Sequence, residues 1–230
     1  MERLCIPHVS YTLLWSDGHP YSVCEDFVSP DTELVGAWRV MRTMKKDNST
    51  SVYQHFVKCC QALGVENIVP ALDQMIVLDY LIANEDRHLN NFGLLRNPET
   101  LEWIGMAPIF DSGSSLGYDR TASRIRIDHD ATCKPFKKHH AEQLKLVSSF
   151  DWIDFDDLTD VGILILASRF LSIRWSAGLP GGMEFCRKIC PIWRRSLVAE
   201  SRTLGLPIRS KRSRKNLAYS FPCCAEAVNP

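Results

Sequence analysis

Hydrophobic and polar positions near the N-terminus alternate in two short runs. Residues 9–14 and 21–27 are rich in β-branched and aromatic side chains. The polar residues between them include Asp17 and Gly18, and an Asp-Gly pair between two such runs is typical of a tight β-turn. The pattern therefore predicts an antiparallel β-hairpin.

Apolar residues further along the chain return at three- and four-residue intervals, which is the spacing of one helix face. This spacing predicts helices over residues 32–46 and 52–63, and Gly64 ends the second of them. A third helix is predicted from Pro70 to Ile82, because proline is well tolerated in the first turn of a helix.

The third helix leads into a dense cluster of polar residues. Residues 81–95 read LIANEDRHLNNFGLL, so that charged, amide and imidazole side chains interrupt an apolar run. Burying such a group without a partner costs about 1–3 kcal/mol, so the cluster is either a surface turn or a functional site. Beyond it, residues 92–95 and 102–104 are candidate strands, and residues 139–150 have the pattern of a further helix.

The overall composition is that of an ordinary globular protein, with 45% hydrophobic and 23% charged residues in a chain of 230. No apolar run approaches the roughly 20 residues that a membrane-spanning helix needs, and the N-terminus lacks the apolar centre of a secretory signal. We therefore expect a cytoplasmic protein that makes no membrane contact. Nine cysteines without the spacing of a small disulfide scaffold predict reduced thiols.

The formal net charge of zero hides a division of the chain. Residues 161–230 contain twelve Lys and Arg against three Glu, whereas the preceding residues carry the balancing negative charge. The basic run 209–215 would suit phosphate backbones, but a solvated tail is the favoured interpretation. We expect residues 161–230 to be a poorly ordered extension, frame-shifted or otherwise unrelated to the preceding region.

Within the polar cluster, Asp86 and Asn91 have the D-x-x-x-x-N spacing of a phosphotransferase catalytic loop. Twenty-five residues after Asp86, an apolar run delivers Asp111 beside a glycine-containing turn. Transfer of the terminal phosphoryl group of ATP requires an oriented acceptor hydroxyl and neutralised phosphate oxygens. In that chemistry Asp86 would orient the hydroxyl as a base, while Asn91 and Asp111 would be oxygen ligands to the Mg²⁺ that bridges the ATP phosphates.

Residues 81–93 and 107–116 together resemble the HipA-like kinases, whose catalytic loop reads N-x-D-x-H-x-x-N-F and whose later metal-binding aspartate follows an apolar strand. The Asp-Arg-His triplet is also similar to phosphoinositide kinases. The resemblance implies that Asp86 is catalytic with His88 in support, and that Asn91 and Asp111 bind Mg²⁺ and ATP. It further implies a serine or threonine hydroxyl of a protein as the acceptor, and an antitoxin-like protein as a candidate partner.

The resemblance implies an α+β, protein-kinase-like fold, with a mostly helical large lobe, a short catalytic hairpin and an N-terminal β-hairpin that remains from the small lobe. Residues 1–30 would be this small-lobe remnant and hinge, residues 31–160 the large lobe, and residues 161–230 the basic tail. The sequence departs from the kinase pattern, because no glycine cluster and no phosphate-pairing lysine precede the hinge.

Several other functions remain open from the sequence. One is a catalytically inactive kinase fragment that acts only as a binding module, and another is a kinase for lipid or small-molecule hydroxyls. A third is a nucleic-acid-binding protein that uses the basic tail. The structural alternative for Asp86, Asn91 and Asp111 is a capped helix end with a polar turn, where Asp and Asn are common.

Overall fold

The structure is a computed structural model that describes residues 1–117, 119 and 132–153. The expected tail over residues 161–230 lies outside this range. A short 3-10 helix, Glu2–Leu4, comes first. The strands and helices that follow are, in chain order, β1 (Tyr11–Ser16), β2 (His19–Cys24), β3 (Glu33–Gly36), α1 (Ala37–Met41), α2 (Val52–Ala62), α3 (Ile68–Ile82), β4 (Gly93–Arg96), β5 (Trp103–Met106) and α4 (His140–Leu144).

Strands β1 and β2 form the predicted hairpin. Asp17 and Gly18 both have positive φ, 51° and 77°, which is the requirement of the tight turn that matches the twist of two paired strands. Strand β2 ends at Cys24, three residues earlier than predicted. Large apolar side chains of this hairpin remain exposed, including Leu13 and Trp15.

A second sheet has the strand order β3-β4-β5, with both pairs antiparallel. The predicted helix over residues 32–46 is therefore wrong for its first part, because Glu33–Gly36 is a strand and α1 has only five residues. Strand β3 exists because Leu34 and Val35 pair with a distant partner, β4. Gly93 permits the close approach, since a Cβ atom there would lie 2.3 Å from the carbonyl oxygen of Val35.

Helices α2 and α3 were predicted almost to the residue. Helix α2 begins with a capping box, in which Ser51 and Gln54 exchange side-chain and backbone hydrogen bonds, and Gly64 follows its end with a φ of 84°. Helix α3 carries Pro70 in its first turn and buries most of its length. Helix α4 covers only Glu142 and its neighbours, so the helix predicted over residues 139–150 is shorter than expected.

The core surrounds α3, and a chain of aromatic contacts extends it. The ring of Phe56 on α2 meets that of Phe92 edge-on at 5.3 Å, and Phe92 meets Phe136 at 5.9 Å. These contacts connect α2, the start of β4 and the segment before α4. Phe150 and Ile153 close the same core. No helix in the described ranges is both long and apolar enough to span a membrane.

The residues before the hairpin fix the segment that leads to Asp111. Val9 donates its backbone N–H to the carbonyl oxygen of Ile109 at 2.9 Å, and Ile109 donates to that of Pro7 at 2.9 Å. The rings of Phe27 and Phe110 stack at 5.3 Å. The apolar run before Asp111 therefore forms a single parallel bridge rather than an extended strand.

Candidate active site

The polar loop, residues 84–91, begins where α3 ends. Ala83 adopts a left-handed conformation with a φ of 48° and turns the chain away from the helix axis. The buried side chain of Asn84 then donates to Asp79 Oδ1 at 2.9 Å and accepts from the backbone N–H of Asp86 at 3.1 Å. This pair of bonds fixes the direction in which the loop leaves the helix.

Arg87 is the centre of the site. Its guanidinium forms a two-point ion pair with Asp79, with Nε–Oδ2 and Nη2–Oδ1 distances of 2.9 Å, and both side chains are fully buried. Nη1 also donates to the carbonyl oxygens of Asn91, at 2.9 Å, and of Phe110. Nη2 donates further to Ser112 Oγ at 2.9 Å. All five N–H groups of the guanidinium are therefore used.

This network joins the end of α3 and the polar loop that follows it to residues 110–112, which lie more than twenty positions further along the chain and contain Asp111. Backbone bonds reinforce the contact, since Glu85 donates to the carbonyl oxygen of Ser114 at 2.9 Å and Leu116 to that of Ile82 at 2.8 Å. The buried guanidinium of Arg87 therefore bonds both parts of the sequence pattern, the polar loop and the segment around Asp111.

The structure places Asp86 at the partly exposed edge of the polar loop. Its Oδ1 accepts a hydrogen bond from Lys134 Nζ at 2.6 Å. This hydrogen bond favours the charged carboxylate and, with smaller help from His88, holds the pKa of Asp86 below its usual value. Because both partners are about half exposed, such a pair contributes at most about 1 kcal/mol to stability. Its main consequence is therefore to hold the Asp86 carboxylate in one position at the edge of the loop.

Lys134 is itself held in place by the buried side chain of Gln143 on α4. Gln143 Nε2 donates to the carbonyl oxygen of Lys134 at 3.0 Å. Its Oε1 accepts from the backbone N–H groups of Phe136 and Lys137, at 3.0 and 3.2 Å. The sequence interpretation gave no role to Lys134, Asp79 or Arg87, although Arg87 stands in the Asp-Arg-His triplet. A signal for the Asp79–Arg87 ion pair was present in the sequence: Asp79 interrupts the apolar pattern of α3, and Arg87 follows eight residues later in the polar loop.

Asn91 is buried, and its Nδ2 donates to the carbonyl oxygen of Asp86 at 3.0 Å. No described donor bonds to its Oδ1, so this oxygen remains an acceptor. Asp111 is exposed with a φ of 49°, and its backbone N–H donates to the Tyr11 hydroxyl at 3.2 Å. His88 Nδ1 accepts from the backbone N–H of Asn90 at 3.2 Å, a contact that shapes the loop itself.

Two side chains of the site, those of Asn91 and Asp111, fit a magnesium ion that takes its remaining ligands from water and substrate. Within the described ranges, no three His, Cys, Asp or Glu side chains are grouped so as to hold a metal. Asn91 and Asp111 offer one amide oxygen and one carboxylate. Mg²⁺ is commonly bound by one or two carboxylates together with water and substrate phosphates, so this pair suits a metal that arrives with a nucleotide.

No protein-family profile matches the chain, and no curated protein matches it either. Among solved structures, the chain is similar to the crystal structure of a Helicobacter pylori proinflammatory kinase, CtkA. The TM-score is 0.59 and the sequence identity 18%, and the match covers 89% of this chain and 83% of that one. The chain therefore has a kinase-like fold, which confirms the α+β, kinase-like fold at the coarse level.

Proposed function

We propose that this chain is an ATP- and Mg²⁺-dependent phosphotransferase of the HipA-like type that acts on serine or threonine hydroxyls in protein. The observation that supports it best is the buried Arg87, because one guanidinium holds the polar loop and residues 110–112 together on a kinase-like fold. A helix cap and surface turn would not need a fully buried ion pair to join them.

In this proposal Asp86 orients the acceptor hydroxyl and takes its proton. Lys134 binds Oδ1 and holds the carboxylate in position, and the ionised carboxylate can accept a hydrogen bond from the hydroxyl. The Nδ2 bond to the Asp86 carbonyl leaves Asn91 Oδ1 available for Mg²⁺, together with the Asp111 carboxylate. When bound, Mg²⁺ neutralises charge on the ATP phosphates. His88 supports the loop.

The first experiment is calorimetric titration of ATP into the protein, with and without Mg²⁺. We expect Mg²⁺-dependent binding that is weakened in Asp111→Asn and retained in Asp86→Asn, since Asp86 faces the acceptor rather than the nucleotide. Asp31→Asn, which removes an exposed carboxylate outside the site, is the matched control. Equal ATP affinity in the wild type and Asp111→Asn would refute the metal assignment.

Phosphoryl transfer is tested separately, with γ-labelled ATP and serine or threonine peptides, and in parallel with lipid and small-molecule hydroxyls. We expect label on a peptide, reduced by at least about a hundredfold in Asp86→Asn, the lower range for loss of a general base. Label only on a lipid or small molecule would favour that class of acceptor. Mg²⁺-ATP binding without transfer to any acceptor would favour a protein that only binds nucleotide.

A further inference from the structure

A cleft lies beside the polar loop, with Leu89 in its wall. Its volume is about 470 Å³, and exposed cations line it on the segment that joins α1 to α2. We call it the basic cleft, and define it by Trp38, Arg42, Lys45, Lys46 and Leu89. No acidic side chain lines it, so it has a net positive charge.

Backbone hydrogen bonds join the wall of the basic cleft to the polar loop and to the residue that follows it. Trp38 donates its backbone N–H to the carbonyl oxygen of Leu89 at 3.0 Å, and Ala37 donates to that of Phe92 at 2.9 Å. Leu89 also lines a smaller cleft of about 380 Å³, whose wall includes His88 and Lys134. A ligand that occupied both clefts would therefore pass across Leu89 toward Asp86.

The three cations of the basic cleft have exposed side chains. Arg42 is stacked over the ring of Trp38, with its guanidinium carbon 4.7 Å from the ring centroid, so its charge is positioned without being neutralised. The nearest acid in sequence, Asp47, uses its carboxylate to accept hydrogen bonds from the backbone and hydroxyl of Ser49. Lys46 Nζ donates to the backbone oxygen of Asp47 at 3.2 Å, and its charge also attracts the Asp47 carboxylate.

We propose that the basic cleft docks an acidic segment of the protein substrate, whose hydroxyl then reaches Asp86 across Leu89. The proposal rests on the kinase function proposed above and adds the class of sequence that the substrate carries. Three cations in one cleft match a few carboxylates of a peptide. A nucleic-acid backbone is normally bound by a longer basic stripe that neutralises many phosphates.

The test measures binding, so that it does not depend on turnover. Fluorescein-labelled peptides with a central serine flanked on both sides by glutamates are titrated with the full chain, and their anisotropy is compared with that of peptides in which glutamines replace the glutamates. We expect the glutamate peptide to bind at least about tenfold more tightly, with an affinity that falls as salt is raised.

The variant Arg42→Glu, Lys45→Glu, Lys46→Glu should lose this preference. A second variant with glutamine at the same three positions guards against misfolding, and a circular dichroism spectrum and urea midpoint like those of the wild type show that the fold is intact. The matched control reverses three exposed lysines that line neither cleft: Lys137, Lys138 and Lys145. It should bind the glutamate peptide like the wild type.

Equal binding of the two peptides to the wild type, or an unchanged preference in both cleft variants, would overturn the proposal. So would tighter binding of a single-stranded DNA oligonucleotide that is lost in the cleft variants, because the cleft would then serve a nucleic acid. The two proposals fail separately: absence of Mg²⁺-ATP binding refutes the kinase function, whereas the peptide preference reports on the cleft alone.

Discussion

Replacing Asp79 by asparagine removes the only carboxylate bonded to Arg87 among the described residues, with almost no change in side-chain volume. In the native site two guanidinium nitrogens donate to the two carboxylate oxygens at 2.9 Å. Asparagine has one oxygen, so one of these donors loses its acceptor. The positive charge of Arg87 also stays fully buried without its counter-charge.

Removal of one partner of a buried ion pair lowers the free energy of unfolding by about 3–5 kcal/mol, because the remaining charge is desolvated and has no counter-charge. The whole stability of a domain is about 5–15 kcal/mol, so Asp79→Asn should remove a large share of it. The matched control is Glu33→Gln, which removes the partner of Arg96 at a pair where both side chains are partly exposed. An exposed pair of that kind contributes about 0–1 kcal/mol.

The free energy of unfolding is measured by urea denaturation followed by circular dichroism, for the wild type and both variants. We expect a much lower midpoint for Asp79→Asn than for Glu33→Gln. The affinity for Mg²⁺-ATP should also fall only in Asp79→Asn, since the polar loop and residues 110–112 lose their common anchor. If the two variants lose the same free energy of unfolding, the argument from burial is refuted.

Three further predictions concern other parts of the chain. Gly93→Ala should lower the free energy of unfolding in urea by at least about 2 kcal/mol, because the new Cβ would lie against a carbonyl of β3. Gly113→Ala, with open space around it, should change the same free energy by no more than about 0.5 kcal/mol. Equal effects of the two substitutions would contradict the close approach at Gly93. Lys134→Met should raise the pKa of Asp86. If Asp86 is the base of the proposed reaction, the acid limb of kcat/KM should move to higher pH, and an unmoved limb would contradict that coupling. Burial raises the pKa of Cys60 to about 12, so iodoacetamide at pH 8 should modify the exposed Cys24 much faster than Cys60. Equal modification rates, measured by peptide mass spectrometry, would contradict this prediction.

The elements that were predicted correctly are those with strong local signals. An Asp-Gly turn between two β-rich runs determined the first hairpin, and the capping residue Ser51 with Gly64 bounded α2. The order of Asp86, Asn91 and Asp111 likewise could be found in the sequence, because it is a spacing pattern. Their roles in phosphoryl transfer stay predictions.

Only the tertiary structure decided the features that depend on distant partners. Strand β3 had helical spacing, and its pairing with β4 across more than fifty residues overruled that local preference. The ion pair of Lys134 with Asp86 spans 48 positions, and Arg87 reaches Ser112 across 25. A sequence pattern records which side chains are present and how they are spaced along the chain. Which of them meet in a buried site is set by how the whole core packs, because a buried charge is tolerated only where folding brings it a partner.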